Sequence, residues 1–307
     1  MSSAQVDSVR NMWGVSVPQL AFEYEPLLHT LLALGAAHRA TLLPQEASSL
    51  RPVYHAYIDS AIRRHRPVTA NPDHTVTEAV CMNTVLLSLY TLFLRSEPST
   101  APYDPPVMWL SLAYGIRIVL KNVYDQLITN NSPLCPLLQA QPAMWKSADR
   151  TQRIYNGDMK PLRFLLHYRP EDDCLDSAAF SVYEEGIAYL ERFYIAVQKG
   201  EPVHILRRMF SGFPPVIPQP FIGFVAERRP RALVMLAYLF ALVKEFEDIW
   251  WLRGIPEREV RGLNSIIPAE WNCMMIWPLH VVSIGTTSCE EVPIQMAGAV
   301  VSDIHAS

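Results

Sequence analysis

Glycine is scarce, with 12 in 307 residues. A nucleotide site built on backbone amides needs a glycine-rich turn, and the chain has no GxGxxG, no P-loop, no HExxH and no GxSxG elbow. The five cysteines (Cys81, Cys135, Cys174, Cys273 and Cys289) are spread out, without a CxxC pair. That excludes the usual cysteine-rich zinc modules and provides no disulfide framework. Charge is thin as well. Charged residues make up 18%, and a formal net charge of −4 gives no electrostatic footprint for nucleic acid. The only basic cluster, Arg63, Arg64, His65 and Arg66, reads as a solvated helix end. Strand-like alternation is nearly missing: Val281 to Ile284 and Val300 to Val301 are the only candidates. No repeat of the solenoid kind is visible. Residues 1–18 lack the basic start and apolar run of a signal peptide, so an intracellular protein, cytoplasmic or nuclear or both, is expected.

What the chain does have is grease. Half of its residues are hydrophobic, enough for a large core with room for an apolar cavity. The organising stretch runs from Arg231 to Trp251, RALVMLAYLFALVKEFEDIWW. From Ala232 to Val243 its only polar group is the phenol of Tyr238, so a helix here has no solvated face and belongs in the centre of a helical domain. It is too short to span a membrane, which takes about 18–20 apolar residues. Its last turns bring Glu245, Glu247 and Asp248 beside Trp250 and Trp251, with a stop at Gly254.

Helices are expected around it at Pro18–Leu43, at about Leu50 to Arg66, and from a capping box at Thr75–Glu78 to about Leu94. Others are expected at Val107–Ile128, opened by Asp104 and Pro105, and at Ser177–Val197. The stretch from Asn130 to Asp173 reads as a long connection with one or two short helices, and FSGFPPVIPQPF (210–221) as a proline-rich bridge. Two short helices at about 256–267 and 269–277 follow. The expected architecture is all-α: a short extension (1–17), one helical domain with a buried central helix and an apolar pocket (18–285), and a tail (286–307).

Asp172-Asp173-Cys174-Leu175-Asp176 spells DDxxD, which resembles the magnesium motif of class I terpene synthases. It reads more simply as acids gathered at the start of the Ser177 helix, and no second metal motif accompanies it. No metal or cofactor is therefore expected.

Four stretches carry a broader resemblance: EPLLHTLLALGAAH (25–38), WLSLAYGIRIVL (109–120), RPRALVMLAYLFALVKEFEDIWWLRGI (229–255) and EWNCMMIWPL (270–279). In order and spacing they resemble the C-terminal regulatory domain of fungal-specific transcription factors, particularly the sterol uptake control group. The resemblance implies an all-α, often dimeric domain with a deep apolar pocket for a sterol-like molecule. In that family a binuclear zinc cluster precedes the domain, and it needs six closely spaced cysteines. None precedes Cys81 here, so direct binding to nucleic acid by this polypeptide is not expected. The expected role is a sensor that binds a largely apolar small molecule of the sterol, terpenoid or polyketide kind. A cyclase, isomerase or cycloaddition catalyst using the same pocket to fold its substrate is the alternative. For the pocket the candidates are Met235, Tyr238, Leu239 and Leu242, with Trp251, Met274 and Trp277 completing the lining and Arg117 able to hold a carboxylate. Under the catalytic alternative Glu245, Asp248 and His280 are the acid–base candidates. A homodimer is a possible assembly, and no membrane span is expected.

Overall fold

The computed structural model describes residues 3–69, 76–130, 132, 134–135, 161–168 and 177–284. Every regular element among them is helical, with no strand. The chain divides into two compact units, one formed by Met1–Thr91 with Leu112–Arg150 and the other by Leu92–Ser111 with Thr151–Ser307.

In the first unit, α1 (Ser3–Asn11) runs through a π-helical turn at Met12–Ser16 into α2 (Val17–Glu23) and then α3 (Glu25–Leu42). The single long helix expected over 18–43 is thus broken at Tyr24, which is extended (φ −133, ψ 94). Pro26 causes the break: its ring cannot donate to the Phe22 carbonyl and would clash with it. Within the short extension expected over 1–17, Met12 and Val17 are buried in the same core as Tyr24 and Leu27. After a 3₁₀ turn at Pro44–Glu46, α4 (Ala47–Thr69) packs extensively along α3 and carries Pro52 and Pro67 within it. The small residues Ala33, Ala37 and Ala40 line the buried face of α3 and permit that close approach.

The apolar helix α5 (Thr77–Phe93) adds Val80, Met82 and Leu86 to this core, and α6 (Val107–Thr129) adds Leu120 and Leu127. Thr75 of the expected capping box lies outside the described residues. Residues 77–96 are long and apolar enough to cross a membrane, yet 78% of that window is buried inside the fold, as in a core helix. The basic cluster also differs from expectation. Arg63, Arg64 and Arg66 are exposed, but His65 turns inward and is buried.

The second unit holds the short α7 (Phe164–His167) and then α8 (Ser177–Gln198). The expected proline-rich bridge is instead α9 (Val203–Val216) followed by α10 (Pro220–Ala226). Pro214 and Pro215 are confined to the last turn of α9, and Pro220 sits in the first turn of α10 where its missing N–H costs nothing. The burial of Phe210 and Phe213 holds this segment helical.

The central helix α11 (Pro230–Val243) is buried at every position from Arg231 to Val243. It is shorter than the sequence suggests. A 3₁₀ turn at Lys244–Phe246 and irregular turns carry the chain to Gly254, whose φ of 76 suits a residue without Cβ. Helix α12 (Ile255–Asn264), a 3₁₀ run at Ala269–Met275 and α13 (Ile276–Ile284) complete the described chain. The strand candidate Val281–Ile284 is helical, because Trp277, Val281 and Val282 share a buried helical face. The DDxxD match, Val300–Val301 and the 286–307 tail lie outside the described residues.

Candidate functional site

The face of α11 bearing Arg231, Met235, Tyr238, Leu239 and Leu242 is fully buried and is packed on by α8, α13 and the 3₁₀ run at 269–275. Met235 comes closest to α8, where a Cβ on Gly186 would lie 2.5 Å from its terminal methyl. Glycine at 186 makes room for that methyl, which fills the gap as a flexible thioether side chain does. The ring of Tyr238 stacks on Trp277 of α13, with centroids 5.0 Å apart and planes 21° from parallel. Phe164 meets Tyr238 edge-on at 6.3 Å, and Tyr194 meets Trp277 edge-on at 6.0 Å. The sequence-based lining thus converges in part: Met235, Tyr238, Leu239 and Leu242 share one helical face, Trp277 is stacked on it, and Met274 is buried in the adjoining 3₁₀ run.

Two polar atoms stand out here. The Tyr238 hydroxyl is buried without a hydrogen-bond partner, and so is Nε2 of His280, one turn beyond Trp277 on α13. Buried polar atoms are ordinarily paired, so each is a position where an oxygen or nitrogen from outside the chain can be received. Burial pushes the Tyr238 phenol well above its ordinary range, with the Cys273 and Tyr194 groups adding to the rise, so it is a neutral O–H donor at any physiological pH.

The remaining candidates, His280 apart, are elsewhere. Trp251 is half-buried in the turns after α11, Glu245 is half-buried in the 3₁₀ turn, and Asp248 is exposed. His280 is half-buried. Arg117 belongs to the first unit, where it is exposed with its guanidinium 5.9 Å from the Tyr114 ring.

Sequence reasoning passed over Arg231, an arginine that opens an apolar helix and therefore reads as a helix end. It is 1% exposed, donates to the carbonyls of Leu165 and Tyr168, and stands 5.0 Å from the Trp271 ring and 5.7 Å from the Tyr183 ring. Tyr168 in turn donates its hydroxyl to the Glu270 carbonyl and meets Trp271 edge-on at 5.2 Å. Arg231 thereby fastens the end of α7 and the 269–275 run to the start of α11. Phe164 and Tyr194 were missed too, because neither lies near Tyr238 in sequence. On the opposite face of α11 a separate aromatic cluster forms the core: Trp109 stacks on Phe210 at 5.2 Å and tilts against Phe240 at 5.8 Å.

No protein-family profile matches the chain. Among curated proteins it is similar to the Zn(2)-C6 fungal-type transcription factor afumD of Aspergillus fumigatus, 28% identical over 236 residues, covering 76% of this chain and 61% of that protein. A Zn(2)-C6 fungal-type transcription factor of Gibberella zeae is 24% identical over 299 residues, covering 92% of this chain and 58% of the relative. Sterol uptake control protein 2 of Candida albicans is 23% identical over 265 residues, 80% of this chain and 35% of that protein. Its homologues are thus fungal transcription factors and sterol uptake control proteins, and the chain spans about three-fifths of the length of the first two and a smaller share of the third.

Proposed function

We propose that this chain is a transcription-factor-like regulatory module, acting inside the cell and in the nucleus, whose second unit binds a largely apolar small molecule of the sterol, terpenoid or polyketide kind. The observation that carries this reading is the Tyr238 hydroxyl, buried and unpaired on an aromatic stack in an otherwise apolar helix. An orphan donor in such surroundings costs the ligand-free protein stability, and a guest with one oxygen on an apolar body removes that cost. Kinship with proteins named for sterol uptake control agrees in ligand class. The state of the site would reach other molecules through the surfaces of the helices packed on α11 rather than through chemistry on the ligand.

The test is an equilibrium titration with dehydroergosterol, read by energy transfer from tryptophan, on wild-type protein and on Trp277→Ala and Tyr238→Phe. Saturable one-to-one binding that weakens at least about tenfold in Trp277→Ala is expected, a loss of the size of a buried aromatic contact. No saturable binding to the wild-type protein, or equal affinity in all three proteins, would overturn the proposal for this ligand and this site respectively.

A further inference from the structure

Another orphan lies in the first unit. Asn83, in the middle of α5, is fully buried, and neither Nδ2 nor Oδ1 of its amide has a hydrogen-bond partner. The other buried polar groups nearby on this helix are satisfied. Thr84 donates to the Val80 carbonyl at 2.9 Å, Ser88 to that of Val85 at 2.8 Å and Thr91 to that of Ser88 at 2.8 Å. Asn83 has no such internal solution, and asparagine is a poor residue for a helix interior besides. One turn away on the same helix, Ala79, Val80, Leu86 and Leu87 are all buried apolar residues.

We propose that Asn83 is the polar anchor of a buried binding site, separate from the one at Tyr238, for a neutral guest that places a hydroxyl group on an apolar body. A hydroxyl complements a free carboxamide, since one oxygen accepts from Nδ2–H while its proton goes to Oδ1. The guest is neutral because the described buried polar residues of this unit offer no counter-charge. They are Thr30, His65, Thr77, Asn83, Thr84, Ser88, Thr91 and Ser132, and His65 is held in its uncharged form by burial. An ion brought among them would be left uncompensated.

The experiment uses the full chain labelled with ¹⁵N, titrated with neutral alcohols from butan-1-ol to decan-1-ol and with cyclohexanol, with octane and octanoate as controls. The side-chain amide resonance of Asn83 is identified by its absence in Asn83→Leu. Expected are cross-relaxation between an alcohol and the Asn83 amide protons, and binding of that alcohol at least tenfold tighter than octanoate. The one equivalent of alcohol bound beside the Asn83 amide is lost in Asn83→Leu and kept in Tyr238→Phe. Loss in Tyr238→Phe with retention in Asn83→Leu would move the guest to the other site and overturn this proposal alone. Cross-relaxation to water only, equal binding of octane, or no response to any alcohol would overturn it too. Where Asn83→Leu fails to fold, the amide is assigned by triple-resonance spectra of the wild-type protein, which then decide the matter.

Discussion

Tyr238 carries the trade-off expected of a residue proposed to read a ligand. Its ring is held by Trp277 and Phe164, while its hydroxyl has no partner. Tyr238→Phe keeps the ring contacts and removes the orphan, so urea denaturation of ligand-free protein should show a gain of about 1–3 kcal/mol. The same variant should bind the oxygen-bearing ligand more weakly; a loss of stability instead would mean that the hydroxyl is paired within the protein. His65 makes a second prediction at this scale. Thr84 gives its one proton to the Val80 carbonyl, so it can only accept from His65 Nε2, 3.1 Å away. The imidazole is therefore the Nε2–H tautomer, and its Nδ1 accepts from the Tyr24 hydroxyl at 2.9 Å. Protonating Nδ1 would break this arrangement, and burial lowers the His65 pKa from 6.5 to about 4. A base whose pKa is depressed on folding stabilises the fold above its unfolded value and ceases to as pH falls toward its folded one. Stability should thus drop between pH 6.5 and about 4, by up to about 3 kcal/mol more in wild type than in His65→Gln, measured as denaturation midpoints across that range. In sequence, the Tyr238 face was legible because residues at helical spacing declare a shared side. The inward turn of His65 was not, since three exposed arginines surround it and only the packing of Tyr24 and α5 against it makes the histidine a core residue.

Among the elements, α12 is tied to the segment after α5 by a buried ion pair. Glu259, fully buried, accepts from Arg95 Nε at 2.6 Å and Nη2 at 2.8 Å, and from the Tyr103 hydroxyl at 2.8 Å. Burial works against the Arg95 charge, but the hydrogen bonds and charge of Glu259 outweigh it and raise the guanidinium pKa. Burial, with Glu259 beside it, raises the Tyr103 phenol as well. Removing one partner strands the other charge, so Glu259→Ala and Arg95→Ala should each cost about 3–5 kcal/mol. The pair Arg95→Met with Glu259→Leu should cost much less than the sum, and additive losses in the cycle would contradict a coupled pair. Gly262, one turn further along α12, belongs to the same joint. A Cβ there would lie 2.1 Å from the Tyr103 ring, so Gly262→Ala must displace the ring and should cost about 1–3 kcal/mol by thermal unfolding. Element boundaries were where sequence reading ran short. The interior of α11 was plain from its unbroken apolar run, but its end was not, because Phe246, Ile249 and Trp250 continue the greasy pattern after the backbone has left the helix. The prolines at 214, 215 and 220 were taken as a bridge, and their places at helix ends emerge only once Phe210 and Phe213 are packed.

For the whole molecule, composition and fold agree on where the apolar surface goes: into helices with few solvated faces, α11 above all, and into a 77–96 segment that is core rather than membrane span. Apart from Glu191, Arg231 and Glu259, the described charged residues stay at least partly outside, and the charge of the chain is sparse and slightly negative, −4 over 307 residues. Among the described residues the densest exposed basic run is Arg63, Arg64 and Arg66 at the end of α4, and Arg64 is already engaged by Glu25. Phosphate contacts release counterions in proportion to their number, with log K falling against log salt at about −0.9 per contact on duplex DNA. Contacts through that run alone give a slope no steeper than about −3. This chain alone should show only weak, sequence-indifferent retention of duplex DNA at low salt, gone at physiological ionic strength, as measured by fluorescence anisotropy across a salt series. A slope nearer −6, or retention that survives physiological salt, would require a basic surface that the described residues do not form. Contact with DNA would then be made by this polypeptide directly, and the ligand site proposed around Tyr238 would not be its only route to regulation.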